Sequence, residues 1–274
     1  MQDLKIIYED ENFLAVDKPA GLMVHGDGRT KEKTLADFIL EKYPQIKGVG
    51  ESIKLDSGEE IEKPGIVHRL DKETSGVILI AKNQETFLFL KNQFQNRELQ
   101  KTYIAIVYGH VKNDRGVINA PIARSATDFR RWSASRGKRG KEREAVTEYK
   151  VLKRFTAPQE DFLGPRVASL LSPSQGEGKR RLLNQTLENP PAASFTLLEL
   201  RPKTGRTHQI RVHMKFLNYP VVCDKLYAPK LPCPVLGINR LALHAKSIEF
   251  KKPDGQDIKI EVPLPEDLAR AIQL

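Results

Sequence analysis

Apolar residues in this chain recur in short runs of strand length and only seldom at helical spacing. Such runs fall at 4–8, 13–17, 77–82, 101–110, 146–155, 195–200, 241–250 and 258–262. Helical patterns are fewer. One follows Thr34, a fitting N-cap, with Leu35, Phe38 and Ile39 on one face through about residue 43. A second follows Asn83, where Phe87, Leu88, Leu90, Lys91 and Phe94 make an apolar face edged by charge; others are expected at 207–216 and 266–272. This order lacks the strand–helix–strand rhythm of a parallel sheet. The expected fold is therefore α+β, with a mixed, mostly antiparallel central sheet and flanking helices and loops. With 274 residues the chain can bury a full core, and it reads as a single domain, 1–274.

Three stretches do not fit into such a core. Residues 44–64 mix Pro, Gly and charge and read as a surface loop. Residues 128–143 crowd Arg130, Arg131, Arg136, Lys138, Arg139, Lys141 and Arg143 around Trp132. Such a segment cannot bury itself and reads as a solvated basic loop or hairpin arm, its single Trp suited to stacking on bases. Residues 156–193 are rich in Pro, Ser, Gly, Gln and Asn and read as a disordered insertion.

Charge narrows the partner. There are 45 Lys and Arg against 35 Asp and Glu, a net charge of +10, which favours a polyanion such as nucleic acid. The two cysteines, Cys223 and Cys233, form no C-x-x-C pair and are expected as unpaired reduced thiols; no metal-ligand spacing is present. No apolar run approaches the roughly 20 residues that cross a bilayer, and residues 1–10 lack a signal-peptide layout. The expected protein is cytoplasmic, a monomer, and free of metal and cofactor.

The chemistry concentrates at 65–82, G-I-V-H-R-L-D-K-E-T-S-G-V-I-L-I-A-K. Asp71 lies between basic and small polar residues just before a buried apolar run, and Thr74, Ser75 and Gly76 form a turn. A lone Asp in a turn is ordinarily a cap or an Asx-turn. The whole pattern, however, resembles the signature of the RluA-type pseudouridine synthases, H-R-L-D-x-x-T-S-G-x-x-x-x-A-K, at every specified position. L-Q-K-T-Y-I-A-I-V-Y-G at 99–109, R-P-K-T-G-R-T-H-Q-I-R-V-H at 201–213 and R-L-A-L-H-A at 240–245 resemble further motifs of that family. With the opening L-A-V-D-K-P-A-G-L-M-V-H, the resemblance spans the chain except for 156–193, in the family's own order.

The resemblance implies isomerisation of uridines in ribosomal or transfer RNA to pseudouridine, without cofactor or metal. It implies Asp71 as the nucleophile, Arg206 as its counter-charge and Tyr103 against the target base. Arg69 would fill the space left by a flipped-out uridine. Ile210 and Leu243 would floor the pocket, while Lys101, His208 and Arg211, with His68 and His213, would meet the RNA along with Arg130, Arg131 and Arg136 of the arm. A non-catalytic RNA-binding protein on the same scaffold is the alternative. The chain departs from the family's G-x-P-x-x-G-D-x-x-Y by carrying Asn218 and Cys223 at the two glycine positions. Asn tolerates the left-handed backbone region; Cys223 puts the local turn geometry in question. The chain is expected to start directly with the catalytic domain, without the small N-terminal RNA-binding appendage of some relatives.

Overall fold

A computed structural model describes residues 4–26, 32–54, 60–135, 138–157 and 193–273. In chain order the elements are β1 (Lys5–Glu9), β2 (Phe13–Lys18), α1 (Leu35–Lys42), β3 (Ile53–Lys54), β4 (Glu60–Ile61), β5 (Ser75–Ala81), α2 (Gln84–Asn96) and β6 (Gln100–Tyr108). There follow β7 (Arg115–Asn119), β8 (Ile122–Ser125), β9 (Trp132–Ser133), β10 (Lys138–Arg143), β11 (Val146–Ala157) and β12 (Ala193–Pro202). The chain closes with α3 (Gln209–Phe216), β13 (Leu243–Lys251), β14 (Asp257–Glu261) and α4 (Glu266–Ala271). These form two compact units, one of Met1–Ile104, Arg201–Thr204 and Leu243–Leu264, the other of Ala105–Leu200, Gly205–Ala242 and Pro265–Leu274. The sheets are mixed and mostly antiparallel, as the strand-length runs imply.

In the first unit the strands run in the order β1, β2, β5, β13, with β14 pairing β13 and the first half of β6 beside it. Strands β2 and β5 are antiparallel, Phe13 opposite Ala81, whereas β5 and β13 are parallel, His244 opposite Ser75. Every residue of β5 is buried, which explains its unbroken apolar run: both faces are covered. The helix signals have physical counterparts. Asp37 accepts from the Thr34 amide and hydroxyl at 2.8 Å each, and the Asn83 side chain accepts from the Thr86 amide at 2.8 Å. Helix α2 buries Thr86, Phe87, Leu90 and Gln93. Gln93 rather than Leu88 faces inward because its amide grips both backbone groups of Lys251; Leu88 is exposed. The stretch expected as a plain loop holds more order: Pro44–Ile46 is a 3-10 turn with Ile46 fully buried, and β3 pairs β4.

In the second unit the second half of β6, β12, β11 and β7 lie in that order, and β10, β8 and β9 form a separate three-stranded sheet. The basic arm is thus a small sheet, with Trp132 packed against Ile122, Ala145, Val212 and Tyr227. Of the expected insertion, residues 158–192 lie outside the described residues, as does Arg136.

The cysteine expectation is corrected. Cys223 and Cys233 form a disulfide, with Cα atoms 5.2 Å apart across ten residues. A loop between them reverses the chain and brings the two side chains within bonding reach. The cytoplasmic expectation rested partly on reduced thiols and loses that support. Asn218 and Cys223 both take left-handed backbone angles, φ 64° and 56°, so the two departures keep the turn that glycines would make. Among the described residues, no helix is long and apolar enough to cross a membrane.

Candidate active site

In the first unit, the Asp71 segment is bracketed by two glycines that no other residue can replace. Gly65 has φ 62° and a Cβ there would fall 2.0 Å from the Ala81 carbonyl oxygen; Gly76 has φ 118° and its Cβ would fall 2.2 Å from that of Ala245. Both are sites of close backbone approach, one to β5 and one to β13. Between them Ile66 and Leu70 are buried. The ring of His68 stacks on Phe94, and its Nε2 accepts from the Leu79 amide at 2.9 Å. Burial, with the charge of Lys101 second, pushes His68 down to about 3, so it is neutral at ordinary pH.

The far side of Asp71 is clamped by Lys18, whose ammonium is fully buried. It donates to the carbonyls of Pro19 and Leu22 at 2.8 Å and to that of Lys72 at 3.1 Å. The Gly21 amide donates to the same Lys72 oxygen at 2.8 Å, and the Thr74 amide to the backbone carbonyl of Asp71 at 3.1 Å. Asp71 itself is half-buried. Tyr103, also half-buried, is held well above the usual phenol range, first by burial and then by the charge of Asp71, which places the two groups within electrostatic reach. Lys101 lies two residues earlier on β6, and burial lowers it to about 8. Arg69 points outward, its guanidinium donating to His25 Nε2 at 3.4 Å. Leu243 is buried.

The second unit carries the remaining expected residues. Arg206 is half-buried; its amide donates to Gln209 Oε1 and its Nε to the Glu144 carbonyl, both at 3.0 Å. His208, at the N-cap of α3 in a left-handed conformation, bonds the Tyr227 hydroxyl at 2.9 Å, and that hydroxyl accepts from the Trp132 amide at 3.0 Å. Ile210 is buried. Three residues expected to face the RNA are engaged within the protein. Arg211 grips Asp224 with two 2.8 Å bonds and lies over the Tyr227 ring. His213 is fully enclosed between Thr147 Oγ1 and the Ala120 carbonyl, and His68 is the pinned ring described above. These side chains build the scaffold.

The arm also sorts itself. Arg130 and Arg131 turn back onto Asp128, at 2.9 and 3.2 Å, and the Arg124 guanidinium covers one face of Trp132 at 4.6 Å. Arg139, Lys141 and Arg143 of β10 are exposed, and among the described residues none of the three has an ion pair. They are the cations left for a polyanion. Residue reasoning passed over Lys18; its one signal was a lysine closing the apolar run F-L-A-V-D-K. Among the described residues no cluster of metal-ligating side chains is found.

The chain is similar to known proteins over most of its length. The family model described as RNA pseudouridylate synthase matches residues 12–216. The uncharacterized RNA pseudouridine synthase YlyB of Bacillus subtilis is 34% identical over 99% of this chain and 72% of its own length. The ribosomal large subunit pseudouridine synthase D of Xanthomonas campestris is 33% identical over 97% and 68%. Among solved structures, human RNA pseudouridylate synthase domain containing 1 superposes with a TM-score of 0.67 at 22% identity, covering 96% of this chain and 84% of that one, which establishes the shared fold.

Proposed function

Since the chain belongs to the RNA pseudouridylate synthase family, we propose that it isomerises specific uridines of ribosomal RNA, or of transfer RNA, with Asp71 attacking a flipped-out uridine. The observation that carries this reading is the Asp71 segment: a backbone held on both sides of Asp71, whose charge reaches the neighbouring Tyr103 phenol. Ribosomal RNA is favoured because relatives named for the large ribosomal subunit align over nearly the whole chain.

The chemistry breaks the bond between C1′ and N1 and makes one between C1′ and C5, while C5 gives up its proton and N1 takes one up, so the net change is an isomerisation. A carboxylate can take C1′ as the base departs and release it when C5 returns. Hydrolytic glycosidases commonly recruit a second carboxylate for the leaving group and water. Here the base stays bound and water is excluded, so one suffices. The family's glycal route and ring-addition route make the same demand for a positioned Asp71. Tyr103, raised by burial and by the charge of Asp71, lies against the base and takes part in its rearrangement. Arg69 fills the vacated stack, and Leu243 adds apolar surface. Arg139, Lys141 and Arg143 hold phosphates, which position the RNA without reading its sequence.

The test is to incubate unmodified large-subunit ribosomal RNA and transfer RNA with the protein and map pseudouridine by a base-specific chemical tag. Tagged uridines in ribosomal RNA are expected. Bound RNA of either class without a tagged uridine contradicts the reading.

A further inference from the structure

Lys101 is a half-buried cation without a buried anion. It lies on the same face of β6 as Tyr103, since side chains alternate along a strand, and the two Cα atoms are about 7 Å apart, a distance one nucleotide spans. The groups beside it are uncharged: its ammonium stands 5.9 Å from the centre of the Phe94 ring, and its charge acts on His68. Among the described residues no carboxylate lies within ion-pairing distance of it. The groups around it cannot compensate. His68 is neutral and its Nε2 is occupied by the Leu79 amide. Tyr103 stays a phenol, and the charge of Asp71 acts on Tyr103 but is not among the causes that move Lys101. Desolvating an ammonium without a counter-ion is costly. Lys82, on the same unit, shows the ordinary arrangement, its ammonium paired with Glu9 at 2.6 Å.

We propose that Lys101 is the receptor for a backbone phosphate of the RNA next to the uridine being modified, so that the missing anion arrives with the substrate. The inference rests on the proposed RNA-modifying function and adds a named contact with its own signature. Burial lowers the lysine to about 8 in the free protein. A phosphate beside it restores the ammonium, so RNA binding takes up a proton once the pH passes about 8. Affinity is then full below that pH and falls as pH rises through it.

The experiment measures RNA affinity by fluorescence anisotropy between about pH 6.5 and about 9, and as a function of salt, for wild type, Lys101→Arg and Lys101→Met. Expected for wild type is a Kd that rises about tenfold between pH 7 and 9. Lys101→Arg, whose charge does not titrate, keeps the affinity and loses the rise. Lys101→Met binds weakly at every pH, with a salt slope shallower by about one unit. A pH dependence that survives in both variants, or a Lys101→Met protein with wild-type affinity and slope, overturns the proposal. Normal binding with slow product formation does so too, because it moves Lys101 into the chemistry. Thermal melts of all three exclude misfolding, with Lys101→Arg as the internal control. Pseudouridine formation by the wild type is scored in parallel. Its absence counts against the function, whereas the affinity data decide the phosphate contact.

Discussion

The segment at 65–76 and the loop at 218–238 both turn the chain through left-handed backbone angles, yet they tolerate change very differently. In the first, backbone passes so close to backbone that a single Cβ at Gly65 or Gly76 would overlap a carbonyl. In the second, left-handed positions that glycine would fill are occupied by Asn218 and Cys223, and the turn persists. The loop keeps its shape by other means. A disulfide closes it, Arg211 grips Asp224, and the Tyr108 hydroxyl donates to the Pro232 carbonyl. A left-handed angle alone costs about 1–2 kcal/mol, which added bonds can offset. A steric overlap with a paired strand has no such remedy.

The largest effect should therefore come from Gly76→Ala. Backbone strain and overpacking together should cost about 3–6 kcal/mol, read by urea unfolding, and the protein should be poorly soluble. An equally stable variant would show that β13 can yield at Ala245. A smaller loss, about 2–3 kcal/mol, is expected when Cys223 and Cys233 are both changed to Ala, measured against the oxidised wild type. Changing Cys223 to Gly in that background should return about 1 kcal/mol, because the left-handed angle is then relaxed. No difference between the two double variants would mean that the loop adopts another shape without its cross-link. The smallest effect concerns the arm and leaves stability untouched. Replacing Arg139, Lys141 and Arg143 with Gln should flatten the salt dependence of RNA binding by about two to three units. The same change at Arg130 and Arg131, already engaged with Asp128, should do less.

The contrast also explains what could be read from residues alone. Strand positions and the caps at Thr34 and Asn83 were legible because alternation and capping are local properties. The Asp71 segment stood out only through its resemblance to a family signature, since a lone Asp in a turn is ordinarily a cap. The fates of Arg211 and His213 were not, since a cation or an imidazole in a motif looks the same whether it faces solvent or, as here, Asp224 and Thr147. The cysteine pairing was missed because nine intervening residues say nothing of a chain reversal. Lys18 was overlooked for a similar reason: only the fold brings the three carbonyls of Pro19, Leu22 and Lys72 around one ammonium.

The central claim is that the carboxylate of Asp71 performs the isomerisation. It is tested most directly by measuring RNA binding and pseudouridine yield on one ribosomal RNA fragment with wild type and Asp71→Asn. The amide keeps the size of the side chain and removes its nucleophile. The account predicts unchanged binding within about twofold and a rate lower by at least about a thousandfold. An Asp71→Asn protein that binds equally well and still forms pseudouridine near the wild-type rate would contradict it.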